Sequence, residues 1–397
     1  MLKYAEALKI VLENIKPVES EWVGLSSAYG RVLAEDVIAG NDIPYKDNSA
    51  MDGYAINTND LKTVPRELKV VGVVACGRPV KKRLNPGQAM VITTGAPIPP
   101  GCDSVVPVED TEKVGSGIVR ILRQIPPGKN VRYSGEDVRK GEVVLKKGTV
   151  VGPAELGMLA SVGRNRMRVF RKPVVAILIT GNEIIEPCER LRPGKVRDIN
   201  TFSLSALVEK FGGVPLPLGI AGDEKVELVR KMKKGLNSDT LIVSGGVSMG
   251  KLDLVRDSLT FLGYKERFWK VAMRPGMPLS FGHIRGKPVF GLPGNPVSSM
   301  VTFLEFVRPL MMKLTARPVD LSEISAFLKS AVVKKDNKRH FLRVKLDYEN
   351  DRYFASLAGP QGSGILKSMV ECDGIAVIPE DTRSLEIGDK VVVQLIN

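Results

Sequence analysis

The sequence predicts a multidomain α/β protein: a three-layer α/β/α domain on a mostly parallel sheet, with β-rich N-terminal domains and a C-terminal β-barrel. Three observations carry this. At 397 residues the chain is longer than one hydrophobic core usually organises, so two to four domains are expected. Between Pro173 and Leu314, apolar strand-like runs alternate with helical periodicity, the pattern of strands joined by crossover helices. On either side, short β-rich runs are punctuated by glycine and proline.

Taken in order, Tyr4, Ala7, Leu8, Val11, Leu12 and Ile15 share one helical face, so a helix is predicted over 4–15, ended by Pro17. Strands are predicted over 70–75, 90–93, 104–108 and 118–122, then hairpins of a small barrel over 136–151 and a helix over 153–160. The central domain follows, with a strand over 174–180, a helix over 201–211 stopped by Gly212 and Gly213, and a strand over 214–220. Asp223 is read as the N-cap of a helix reaching 236. A strand over 240–243, a helix over 252–262, strands over 266–273 and 288–291 and a helix over 296–314 complete the alternation. Beyond Ala316, strands over 341–346, 353–356, 374–378 and 390–395 predict a separate barrel or sandwich.

Charge and composition exclude several functions. The net charge of +14 favours anionic partners, small oxyanions or nucleic acid. No arginine-rich, aromatic-interleaved stripe supports specific nucleic-acid reading. No apolar stretch is long enough to span a bilayer, and 1–12 reads as an amphipathic helix rather than a signal peptide, so a soluble cytoplasmic protein is expected. Cys76, Cys102, Cys188 and Cys372 are dispersed and only His283 and His340 are present, which disfavours a soft-metal site. A protein-bound metal should be a hard cation on carboxylates.

Two glycine-rich segments read as anion cradles, each between a buried strand and a helix. The first runs from Ser244 through Gly245, Gly246 and Ser248 to Gly250; the second is Leu292, Pro293, Gly294, Asn295, Pro296, Val297 and Ser298. Without a Cβ the glycines admit close approach of a ligand, and the following helix start offers unpaired N–H groups. Two cradles imply a substrate with more than one anionic group. Carboxylates recur at the same rim: Glu183, Asp223 and Asp253. Beside an anion they call for an intervening cation, for which Mg2+ is suited because it bridges carboxylate to phosphate. Polar loops at 47–55, 93–97 and 132–137 carry further hydroxyls and carboxylates, but periodicity does not say whether they face the cradles.

In order, DNSAMDGYA at 47–55, TGAPIPPGCDSVV at 94–106, GED at 135–137, TGNE at 180–183, SGGVSMGKLD at 244–253, RPGMP at 274–278, LPGNPVS at 292–298 and QGSG at 361–364 resemble the MoeA family of molybdopterin molybdenumtransferases, which includes the gephyrin E domain. The resemblance implies an obligate homodimer of four-domain subunits: 1–45 with 138–172, 46–137, 173–315 and 316–397. It implies Mg2+-dependent insertion of molybdate into adenylylated molybdopterin with release of AMP, the substrate's dithiolene capturing the metal. Asp52, Thr94 and Asp137 would reach the cradles of the other subunit. Glu183, Asp223 and Asp253 would position Mg2+; Ser244, Gly245, Gly246, Ser248 and Gly250 would hold phosphate. Lys270, Arg274, Pro293, Gly294, Asn295, Pro296, Ser298 and Ser363 would complete the binding of substrate and oxyanion. Met277 stands where relatives carry a lysine, Asn182 where they carry an aspartate and Gly364 where a histidine is common, which leaves molybdate against tungstate open. A molybdopterin adenylyltransferase or a non-catalytic scaffold or cofactor carrier are the alternative readings.

Overall fold

The structure is a computed structural model that describes residues 1–78, 81–246 and 252–396, the side chains of 252 and 253 excepted. It divides into two compact units, one of 1–22, 30–34 and 168–397, the other of 23–29 and 35–167. Among the described residues no helix is long and apolar enough to cross a membrane.

The larger unit contains the expected α/β layer. Its strands are β1 (Val174–Thr180), β2 (Val214–Ala221), β3 (Thr240–Ser244), β4 (Lys265–Trp269), β5 (Ser280–Ile284) and β6 (Lys287–Leu292), in spatial order β2-β1-β3-β6-β5-β4. The first four in space are parallel, and β5 and β4 continue antiparallel. Ile177, Ile242 and Phe290 face one apolar layer while Ala176, Leu178, Leu241 and Val243 face another, which is why β1 and β3 read as continuous apolar runs. Helices Asn200–Lys210, Lys225–Gly235 and Leu252–Phe261 cross between strands.

Two sequence expectations change here. The run predicted as one strand over 266–273 splits into β4 and a two-residue strand, Met273–Arg274, which pairs not with the sheet but with the C-terminal domain. The helix assigned an Asp223 cap begins instead at Lys225 with Glu224 at its N-cap, and the Asp223 N–H donates to Asn182 Oδ1 at 3.0 Å.

The C-terminal strands close into a five-stranded barrel: β7 (Glu323–Leu328), β8 (Arg339–Glu349), β9 (Arg352–Leu357), β10 (Gly374–Ile378) and β11 (Lys390–Leu395), joined in the circuit β8-β9-β7-β11-β10-β8. β7, not expected from sequence, completes the closure. Leu342, Val344, Ala376 and Val393 fill the interior, while Phe341, on the opposite face of β8, joins the α/β core.

The smaller unit holds a six-stranded sheet in which Gly53–Ile56 lies between Ser104–Pro107 and Gln88–Ile92. The end of the DNSAMDGYA segment, a surface loop on composition, is therefore a buried strand. Gly53 permits it: a Cβ there would lie 1.9 Å from the Val106 carbonyl oxygen.

Helix Tyr4–Leu12 buries Tyr4, Ala7 and Val11 against the larger unit's core, the Tyr4 ring meeting Phe306 and Phe341. Its hydroxyl donates to Glu305 Oε2 at 2.7 Å. Glu305 sits in a π-helical turn, Phe303–Val307, within the helical run that begins at Pro296. Burial raises the Glu305 carboxyl to about 7, against the Tyr4 hydrogen bond and the charges of Arg308 and Arg339. A folded-state value above the unfolded one gives stability that is complete below the unfolded value and lost as pH rises through about 7. Glu305→Gln should therefore gain about 2 to 3 kcal/mol relative to wild type between pH 5 and pH 8, read as denaturant midpoints. Parallel pH profiles would contradict the assignment.

Candidate active site

The two cradles meet. Gly245 and Gly246 end β3 at φ of +97° and +70°. A Cβ on Gly245 would lie 2.4 Å from the Thr180 carbonyl oxygen, and one on Gly246 would lie 2.5 Å from the Val255 side chain. A Cβ on Gly294 would come within 3.5 Å of the Gly245 Cα, so the loops touch backbone to backbone. Asn200 ties them: its Nδ2 donates to Ser244 Oγ and to the Gly294 carbonyl, both at 2.9 Å. The Ser244 hydroxyl donates in turn to the Pro293 carbonyl at 3.1 Å.

Beyond the carboxyl ends of β1, β3 and β6 these loops line a cavity of about 620 Å³ with Thr180, Glu183, Asn200, Pro278 and Asn295. Two polar atoms lining it, Thr180 Oγ1 and Asn200 Oδ1, are buried without a partner among the described residues. Glu183 follows Gly181, whose φ of +139° leaves the carboxylate oxygens 2.8 Å from where a Cβ would stand. The strand end is thus shaped around that carboxylate.

A second cavity, of about 570 Å³, lies where Met273–Arg274 pairs with β8. Its lining includes Arg274, Pro275, Lys335, His340, Arg343, Gln361 and Gly362 and contains no carboxylate. Arg343 is fully buried; Nε donates to Ser368 Oγ at 3.1 Å and Nη2 to the Gly362 carbonyl at 3.2 Å, while Nη1 has no partner among the described residues. Burial draws its pKa down, yet a guanidinium remains charged. Gln361 holds the Arg343 backbone at both ends, accepting from its N–H at 2.9 Å and donating to its carbonyl at 3.1 Å. The loop 274–278 separates the cavities, with Pro275 in one and Pro278 in the other. Ser363 links them from the opposite side by accepting from Asn295 Nδ2 at 3.1 Å.

Of the residues expected at the site, Glu183, Ser244, Gly245, Gly246, Pro293, Gly294 and Asn295 line the first cavity. Pro296 opens the adjoining helix and Ser298 is buried within it. Asp223 lies at the turn after β2, fixed through its N–H by Asn182. Arg274 lines the second cavity. Lys270 lines neither; its ammonium stands 4.1 Å over the Trp269 ring. Ser248, Gly250 and the side chain of Asp253 lie outside the described residues. Among the described residues no three His, Cys, Asp or Glu side chains form a metal cluster.

Asp52, Thr94 and Asp137 belong to the smaller unit. Asp52 Oδ1 accepts from the Thr94 N–H at 2.6 Å and its hydroxyl at 2.9 Å, which holds the exposed Asp52 carboxyl below its ordinary pKa. Asp137 is exposed, its N–H donated to the Ile43 carbonyl. Sequence reasoning missed Asn200 and Arg343. Arg343 carried a signal, since strand alternation puts it on the same face of β8 as Phe341, an odd place for an unpaired charge.

The comparisons with known proteins decide the family. Sequence profiles of the MoeA N-terminal region (domain I and II), a probable molybdopterin binding domain and the MoeA C-terminal region (domain IV) match residues 2–163, 176–313 and 325–396. The chain belongs to the MoeA family. The molybdopterin molybdenumtransferase of Haemophilus influenzae is 34% identical over 100% of this chain and 99% of its own. That of Bacillus subtilis is 35% identical over 98% of this chain and 93% of its own. The crystal structure of the molybdopterin biosynthesis MoeA protein from Pyrococcus horikoshii OT3 superposes with a TM-score of 0.86 at 33% identity, covering 100% of both chains.

Asn200→Ala removes the donor shared by the cradles and strands two buried acceptors. It should cost roughly 2 kcal/mol in denaturant unfolding. A loss below about 0.5 kcal/mol, within the range of an ordinary surface change, would show that Asn200 does not hold the loops together.

Proposed function

We propose that this transferase of molybdenum cofactor biosynthesis inserts molybdate into adenylylated molybdopterin with Mg2+-dependent release of AMP. The observation that carries this reading is the pair of polar cavities flanking one loop, the first built from backbone glycines and the second lined by Arg274, Lys335, His340 and Arg343. A substrate with a phosphoanhydride suits the first, where the cradles offer backbone N–H groups and the orphaned Thr180 and Asn200 oxygens can engage hydroxyl or N–H groups. A tetrahedral dianion suits the second, where Arg274 and Lys335 are exposed cations and Arg343 adds a charge from within the wall.

The donor set fits Mg2+ rather than a resident metal cage. Mg2+ commonly keeps its waters and takes only one or two carboxylates beside substrate phosphates. Glu183, with Asp223 and Asp253, would hold it and so draw charge from the phosphoanhydride as AMP departs. The residues themselves grip the phosphates, orient the anhydride and keep the oxyanion beside the pterin sulfurs, a proximity effect.

Asp52, Thr94 and Asp137 enter as the contribution of a second subunit in a homodimer. The short bonds from Thr94 keep Asp52 ionised and fixed, as a carboxylate acting on a partner's ligand requires. The test follows AMP release from adenylylated molybdopterin with Mg2+ and either molybdate or tungstate. Asp223→Ala should fold and lose most turnover; full turnover would remove it from the site. EDTA should abolish release and added Mg2+ restore it. For the cross-subunit arrangement, inactive Asp52→Ala and Asp253→Ala proteins, unfolded and refolded together, should recover about a quarter of wild-type activity, because half the dimers then carry one intact site. No recovery would place both residues in one subunit's site.

A further inference from the structure

Asp336 stands against two of the side chains that line the basic cavity. Asp336, in the turn before β8, places Oδ2 3.8 Å from Arg274 Nη1 and Oδ1 2.8 Å from His340 Nε2. Oδ1 also accepts the Lys338 N–H at 3.1 Å, and Asp336 does not line the cavity itself. Two of the four basic lining side chains, Arg274 and His340, are thus backed by one negative charge, while Lys335 and Arg343 are not. The parallel pairing of Arg274 with His340 fixes this arrangement in the backbone.

The surrounding charges are committed elsewhere. Arg339 pairs with Glu380 at 3.1 Å, and the Lys334 ammonium is tied to the carbonyls of Lys338, Pro379 and Glu380. Burial works against the Asp336 charge, but the bonds from His340 and Lys338 outweigh it and hold the carboxyl below its ordinary value. Burial draws His340 down despite Asp336, so the imidazole is neutral at neutral pH. Lys335 is thus an exposed cation of the lining, Arg343 a charge buried in its wall, and Arg274 a cation with a fixed anion 3.8 Å from it.

We propose that Asp336 is a selectivity residue: its fixed charge lowers the positive potential at Arg274 and limits how strongly the cavity favours dianionic tetrahedral oxyanions over monoanionic ones of the same shape. The inference rests on reading this cavity as the oxyanion site. The physical basis is that Coulomb energy scales with ligand charge, so removing one carboxylate changes dianion binding by the square of the factor for a monoanion. A site of moderate strength suits an oxyanion that must leave for the pterin sulfurs rather than stay bound.

Asp336→Asn keeps the size of the side chain and an oxygen for the Lys338 N–H. Calorimetric titration at low ionic strength would compare molybdate, a dianion, with perrhenate, a tetrahedral monoanion, on the wild type, Asp336→Asn and Arg343→Ala. Asp336→Asn should tighten molybdate about tenfold and perrhenate about threefold, each anion referred to its own wild-type value. A gain in affinity is not produced by loss of fold, and the unequal gains separate charge from a local rearrangement. Equal gains for the two anions, or no gain for molybdate while Arg343→Ala weakens it, would overturn the role of Asp336 and leave the cavity reading intact. Molybdate binding unaffected by Arg343→Ala would instead remove the oxyanion from this cavity, and the proposal with it.

Discussion

The site depends on one constraint, the contact of two backbones at Gly245 and Gly294. A side chain at Gly245 would strike the Thr180 carbonyl 2.4 Å away, and Asn200 holds the β3 and β6 loops together through Ser244 and Gly294. Because β3 and β6 are adjacent parallel strands, their ends already point to the same rim. The Gly245 N–H donates to the Leu292 carbonyl at 3.2 Å, joining the two loops, and the helix from Pro296 carries the position of the second loop into the core. That helix holds Glu305, which Tyr4 of the N-terminal helix caps, so the cradle is anchored to the part of the chain furthest from it in sequence.

The same economy joins the two cavities. Arg274 enters the basic cavity because Met273–Arg274 leaves the α/β sheet to pair with β8, and the four residues that follow bring Pro278 to the first cavity. From the other side, Gln361 clamps the Arg343 backbone, Gly362 accepts from its guanidinium, and Ser363 accepts from Asn295. In the proposed reaction these neighbouring segments would hold a phosphate and an oxyanion side by side. This arrangement suits a reaction in which an oxyanion must be passed to a pterin while a nucleotide leaves.

Much of the fold was legible because burial imposes periodicity. β1, buried on both faces, is apolar in every residue but Thr180, and β11 alternates exposed with buried positions over 390–393. β5 escaped detection although it forms a hairpin with β6, because Ser280, Gly282 and His283 interrupt its apolar residues; other missed strands have partners far off in sequence. β7 has a mixed pattern and closes the barrel only through β9 and β11. Met273–Arg274 is too short to carry a pattern. Gly53–Ile56 was hidden because its glycine reads as a turn, whereas the structure needs it for close packing on Val106. At the site, glycines and strand-end carboxylates were visible as chemistry. Asn200 was not, since an asparagine at a helix start reads as a cap, and Arg343 was marked only by sharing the Phe341 face of β8.

The central claim is that phosphate and metal oxyanion occupy two distinct cavities on either side of the Arg274–Pro278 loop. The most direct measurement is a crystal structure of the protein soaked with AMP, Mg2+ and tungstate, with the tungsten located by its anomalous scattering. The account predicts the AMP phosphate against Gly245 and Gly294 and the tungsten beside Arg343. Tungsten in the glycine cradle, or outside both cavities with Arg343 untouched, would contradict it.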